Sequence, residues 1–297
     1  MNNLRNLLWL YLGLLIFEGV LRKWVVPALD APLLIIRDPL VVWIYIQAIR
    51  NRLSFQNAFF MPNLVLAVAT GIFSELFGQA NTAITIYGLR TDYLQIPLIF
   101  LIPQILNRDD VLAMGRFILY ATIPIAILVL VQFKSPQDSL INKGALNTWY
   151  GTVRPSGPFS FISGLVSYFA LASSFLFYGF LTPRTYKMWL MGAVMVLLLL
   201  ASAVSGSRSC LVSVGIVAVI AVLCVIMRGK GGMGLVVVAV LIAVLVPILS
   251  FLPIFQQGAE QLTQRFADGA AGGEDTEGFT ARYAHSMLGP LSTIGDR

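Results

Sequence analysis

The sequence predicts an all-α fold, a polytopic transmembrane helical bundle of about nine spans, each using roughly 20 apolar residues. Three observations carry this reading. Of 297 residues, 58% are hydrophobic and 11% are charged, against about 45–50% and about 25% in soluble domains. The mean hydropathy is +0.82. Apolar runs alternate with short polar punctuation throughout residues 1–255. Together these exclude a soluble globular enzyme, a disordered tail and a disulfide-rich secreted module.

The apolar runs fall at 7–21, 33–49, 58–78, 93–106, 115–133, 159–181, 187–204, 209–227 and 233–255. The first has the length of a signal-peptide core. Yet Glu18 interrupts it, Arg22 and Lys23 follow it, and no small-x-small site closes it, so it reads as a retained span. The second and fourth runs are short and carry Pro39, Pro97 and Pro103. They read as tilted, broken or partly re-entrant segments. No repeat is visible, and the halves do not match as an inverted-repeat transporter would require.

Charge sets the expected orientation. Arg5, Arg50 and Arg52, Arg108 and Arg116, Arg184 and Lys187, and Arg228 and Lys230 lie in one alternating set of short loops. The positive-inside rule places these in the cytoplasm. The other set, 22–32, 79–92, 134–158, 204–208 and 256–297, is then extracytoplasmic. Residues 1–255 carry a net charge of +9 and residues 256–297 carry −3. The basic residues form no continuous cationic stripe, so nucleic acid is not an expected partner. Residues 1–255 read as a transmembrane domain, and 256–297 as the start of a large extracytoplasmic loop. Within that loop a segment from 279 to 294 looks ordered, and the chain stops soon after it.

Cysteine and histidine say little. Cys210 and Cys224 share one span, about 21 Å apart along a helix, which excludes a disulfide between them. One His in the chain argues against a His-based metal site. No phosphate loop, dinucleotide fingerprint, zincin helix or nucleophile elbow is present.

Three groups of residues could carry chemistry. Arg154-Pro155-Ser156-Gly157-Pro158 precedes the sixth span. An Arg on a rigid Pro/Gly turn suits a phosphate; it is equally the form of an interfacial turn with a snorkelling Arg. Ser205-Gly206-Ser207-Arg208-Ser209 interrupts an otherwise apolar stretch before the eighth span. Here a lone Arg at a helix N-terminus favours an anion, or simply marks a tight hairpin at the interface. Arg265, Arg282 and His285 lie in the tail. His285 could act as a general base, or be a solvated surface residue. The remaining charges, Glu18, Arg22, Lys23, Arg37, Asp38, Glu75, Arg90 and Asp92, sit at span ends. They read as pairs between helices rather than as a proton relay.

In this order and topology the segments resemble the O-antigen ligase and O-antigen polymerase superfamily of bacterial inner-membrane proteins. Arg154 to Ser160 before one span, Ser205 to Ser209 opening a later one, and a loop with Arg265 and Arg282 after the ninth span carry the resemblance. Phe17 to Trp24 and Tyr87 to Tyr93 add to it. The resemblance implies a C-type glycosyltransferase-like fold and a metal-independent, cofactor-free transfer. Glycan would pass from an undecaprenyl-pyrophosphate donor to a lipid or glycan acceptor at the outer face. It implies that Arg154, Arg208 and Arg265 hold the pyrophosphate and that Arg208 and Arg282 act in catalysis. It implies His285 as the base, although the Gly expected eleven positions on is Asp296. It also implies about a dozen spans, and so that this chain is the N-terminal part of such a protein. The rival readings are a transporter of a lipid-linked glycan or small anion, and a membrane scaffold.

Overall fold

The computed structural model describes residues 2–55, 59–77, 82–143, 146–147, 153–229 and 232–271. These are nearly all helical. Internal packing divides the chain into two units, Met1–Gly115 and Arg116–Arg297.

The first unit opens with α1 (Asn2–Val20), which runs on through a wider π-helical turn, Leu21–Val25. A 3-10 turn, Pro27–Leu29, leads to α2 (Asp30–Ile35) and α3 (Arg37–Arg50). Then come α4 (Phe60–Phe77), α5 (Thr82–Tyr93) and α6 (Leu98–Ile105). The core is one stripe from each of three helices. Leu4 and Leu8 of α1 meet Val41, Ile44 and Ala48 of α3 and Leu98, Leu101 and Ile105 of α6. Spacings of three and four residues put each set on one helical face.

Segment 79–92 was expected to be a loop. Its described part is helix α5, which lies against α4 through polar rungs. Ser74 and Thr85 hydroxyls sit 2.9 Å apart, and those of Thr70 and Tyr93 2.8 Å apart. The run 93–106 is not one helix but a turn followed by α6. The turn is fixed by Tyr11, whose hydroxyl donates to Gln95 Oε1 at 2.7 Å, and by Tyr45, which donates to Leu94 O at 2.6 Å.

The expected pairing of charges between helices is present in this unit. Glu18 is 5% exposed. It lies 2.6 Å from Arg37 and 3.5 Å from Arg22, and Arg22 also reaches Asp30 at 2.7 Å. Arg90 pairs with Asp38 and donates to Leu34 O. The Asp38 carboxylate beside it holds the Arg90 pKa above its ordinary value. Desolvating such charges is costly, and each pair offsets that cost locally.

The second unit begins within α7 (Arg108–Lys134). It continues through β1 (Leu146–Asn147) and β2 (Val153–Arg154), which pair antiparallel with Leu146 opposite Arg154. Then follow α8 (Ile162–Leu181), α9 (Met188–Val204), α10 (Arg208–Arg228), α11 (Gly232–Ser250) and α12 (Pro253–Ala271). Tyr168 of α8 donates to Ile118 O of α7 at 2.9 Å. A Cβ on Gly234 would fall 2.9 Å from Leu181 Cα, so α11 lies close against the end of α8. Helix α9 is the most enclosed, with Leu190, Val194, Leu198, Ala201 and Val204 all buried.

Six described helical segments are long and apolar enough to cross a membrane: Asn2–Val25, Pro32–Arg50, Arg108–Lys134, Ile162–Leu181, Arg208–Met227 and Gly232–Ser250. Phe60–Leu76 and Met188–Val204 are apolar but shorter. The Arg208–Met227 segment has a mean hydropathy of 3.1, yet only 6% of its apolar window is buried. Its Val212, Ile216, Val219, Ile220 and Leu223 side chains face outward. Such a surface is stable only against lipid or another apolar body. The whole is consistent with a multi-pass membrane protein.

Candidate anion site at the Ser205–Ser207 turn

Within the second unit, Arg154, Arg208 and Arg265 share one end. Helix α7 finishes there at Lys134, whose ammonium donates to Gln257 Oε1 of α12 at 2.7 Å. Helix α9 finishes there too. A Cβ on Gly258 of α12 would stand 2.9 Å from the Ala203 carbonyl and Val204 nitrogen. The loop from α7 to α8 and the turn from α9 to α10 therefore share this end.

The turn is built by its small residues. Gly206 has φ +57, which an L side chain rarely adopts. Ser205 is fully buried. Its hydroxyl donates to Ser202 O at 2.8 Å and accepts from the Ser207 amide at 3.3 Å. Ser207 is extended and starts α10 without a side-chain cap. The Cys210 amide donates to Ser207 O at 3.0 Å; the amides that open α10 before it lie ahead of the helical ladder, and the helix dipole adds partial positive charge there.

Arg265 sits directly on this turn. Its Nη1 donates to Gly206 O at 2.7 Å. Space for a Gly206 Cβ ends 3.9 Å from the guanidinium carbon and 3.8 Å from Gln261 Oε1. Gln261 is buried beside it. Arg208, the next residue after the turn, is half-buried and makes no ion pair or side-chain hydrogen bond among the described residues. The structure thus brings Arg208 and Arg265 to one turn.

Arg154 lies at the same end, half-buried on β2. The segment that follows it is pinned rather than loose. Gln132, 0% exposed, accepts from the Gly157 amide at 2.8 Å and donates to Ile141 O at 2.8 Å. Asn142 donates to Gln132 O, Ser135 O and Pro136 O. Gly157, at φ +60, lets the chain pass within van der Waals reach of Val129 and Leu165. Arg282, His285 and segment 279–294 lie outside the described residues.

Two features of the site escaped the sequence reading. Residues 256–271, read as the start of a loop, belong to α12. The signal was present: Gly258, Gln261, Leu262 and Arg265 follow helical spacing, and the first three are buried. The Gln132 and Asn142 anchors were also missed, because a single Gln inside an apolar run carries no spacing signal.

The geometry offers a cationic turn at the end of a helical bundle, suited to hold an anion of phosphate type. No family model, curated protein or solved structure matches the chain.

Proposed function

We propose that the chain transfers or polymerises glycan from an undecaprenyl-pyrophosphate-linked donor, as do the O-antigen ligases and polymerases it resembles. The transfer takes place at the outer face of a bacterial inner membrane. The observation that carries this reading is the seat of Arg265 against the turn that opens α10 at Arg208. Two guanidiniums and a helix N-terminus at one turn suit the charge and the several acceptor oxygens of a pyrophosphate. Arg154, at the same end, is the third cation for that group.

The acceptor hydroxyl attacks the anomeric carbon, and the bond from that carbon to the pyrophosphate oxygen breaks. Negative charge grows on the departing oxygen. Fixed cations beside it stabilise the transition state more than the ground state. The positive charge comes from the side chains themselves. The hydroxyl proton passes to a base, the role that the resemblance gives to His285.

The test uses proteoliposomes holding the chain, with radiolabelled undecaprenyl-pyrophosphate oligosaccharide and an acceptor glycolipid. Wild type is expected to produce labelled acceptor, and Arg208→Ala to lose about 100-fold or more in rate. Equal rates for the two would remove Arg208 from the site. Label gathering inside the vesicles, with no labelled acceptor, would establish transport instead.

A further inference from the structure

A second polar site lies at the opposite end of the same unit, where α7 enters it and the 182–187 turn joins α8 to α9. A pocket of about 440 Å³ opens there, lined by Arg116, Tyr120, Arg184, Tyr186 and Lys187 among others. Its three cations are exposed, and none forms an ion pair among the described residues. One of the lining residues is unusual. Tyr186 is 6% exposed, and its buried hydroxyl has no hydrogen-bond partner among the described residues. A buried, unsatisfied hydroxyl is costly to the fold.

The surroundings hold Tyr186 in that position. A Cβ on Gly179 would stand 2.8 Å from the Tyr186 ring and 2.6 Å from Met191 sulfur. The ring therefore occupies the space that Gly179 leaves. Burial raises the Tyr186 pKa above its ordinary value, Tyr178 adds to this, and Arg116 opposes it. The hydroxyl thus stays a neutral donor near Arg116. Arg184 stands at φ +66, a strained backbone for a residue with a Cβ.

We propose that this pocket binds a phosphate-bearing anion, with Arg116, Arg184 and Lys187 supplying charge and the Tyr186 hydroxyl supplying the buried donor. The ligand is an anionic phospholipid headgroup or a free phosphate; both present the same oxygens to the same donors. The positive-inside pattern puts this end at the cytoplasmic leaflet, where basic pockets between helices meet anionic headgroups. The site is separate from the Ser205–Ser207 turn and does not depend on glycan transfer there.

The experiment compares the full chain with three variants: Tyr186→Phe, Arg184→Gly, and the triple change Arg116→Gln, Arg184→Gly, Lys187→Gln. Phe keeps the ring's packing, and Gly relieves the positive φ, so both single variants retain the fold. Each protein is purified from phosphatidylcholine nanodiscs with or without phosphatidylglycerol, and bound lipid is counted by native mass spectrometry. A parallel arm adds inorganic phosphate and follows thermal unfolding. Wild type is expected to retain phosphatidylglycerol over phosphatidylcholine. Retention falls about fivefold for one lost cation and about 100-fold for three. Tyr186→Phe loses about fivefold. Stabilisation by inorganic phosphate alone, abolished in the triple variant, would assign the site to a soluble phosphate. Equal lipid retention and equal phosphate response in all four proteins would overturn the proposal.

Discussion

Replacing Gly258 by Ala tests how the second unit seats Arg265. The new Cβ would lie 2.9 Å from the carbonyl carbon and oxygen of Ala203 and from the Val204 nitrogen. These are backbone atoms of α9, so no rotamer change relieves the clash. Ordinary carbon contacts need about 3.5 Å, so α12 must withdraw by about 0.6 Å. Overpacking of this kind costs about 1–3 kcal/mol. The gain in helix propensity from Gly to Ala returns about 0.5–1 kcal/mol. The net expectation is a loss of about 1–2 kcal/mol. Gly192 of α9 is the control, because a Cβ there meets nothing within 4 Å among the described residues. Gly192→Ala should be neutral or stabilising by about 0.5–1 kcal/mol. Denaturant titration in micelles, followed by tryptophan fluorescence, measures both. Arg265 lies seven residues beyond Gly258, about 10 Å along the helix, so the same variant should weaken its bond to Gly206. Equal stability of the two Ala variants would refute the close approach of α12 to α9.

Further predictions address other contacts. Gln132→Leu leaves the Gly157 amide and the Ile141 carbonyl without their partner; a loss of about 2–3 kcal/mol is expected, with faster protease cleavage between 135 and 160. Asp38→Asn strips Arg90 of its ion pair in the first unit and should cost about 1–3 kcal/mol, read as a lower unfolding temperature. Gly179→Ala forces the Tyr186 ring aside and should lower stability by about 1–3 kcal/mol, while Gly215→Ala, with open space at its Cβ, should not.

The long apolar runs were legible because composition alone fixes them. Runs at 7–21, 115–133, 159–181, 209–227 and 233–255 lie within or largely overlap α1, α7, α8, α10 and α11. The charge pairs around Glu18 and Asp38 were legible in kind, since buried charges require partners, but not in detail, because partners such as Asp38 and Arg90 lie 52 positions apart. The run at 93–106 reads as tilted, broken or partly re-entrant from its prolines, and it is broken into a turn and α6. Pro97 allows a helix to start after it, yet what fixes the break is Tyr11 and Tyr45 holding the turn at Gln95 and Leu94. Helix α12 was hidden by its polar residues, which resemble loop punctuation until Gly258 is seen against α9. At the site, Arg208 stood out as the lone charge in an apolar stretch. That Arg265 reaches back 59 positions to Gly206 depends on tertiary packing, which no local pattern encodes.

The most direct measurement of the central claim is a double-mutant cycle on undecaprenyl-pyrophosphate binding, with wild type, Arg208→Ala, Arg265→Ala and the double variant in nanodiscs. If both arginines grip one pyrophosphate, each single change weakens binding about tenfold or more. The double change then departs from the sum by about 1 kcal/mol or more. Strict additivity with unchanged affinity in either single variant would contradict the account.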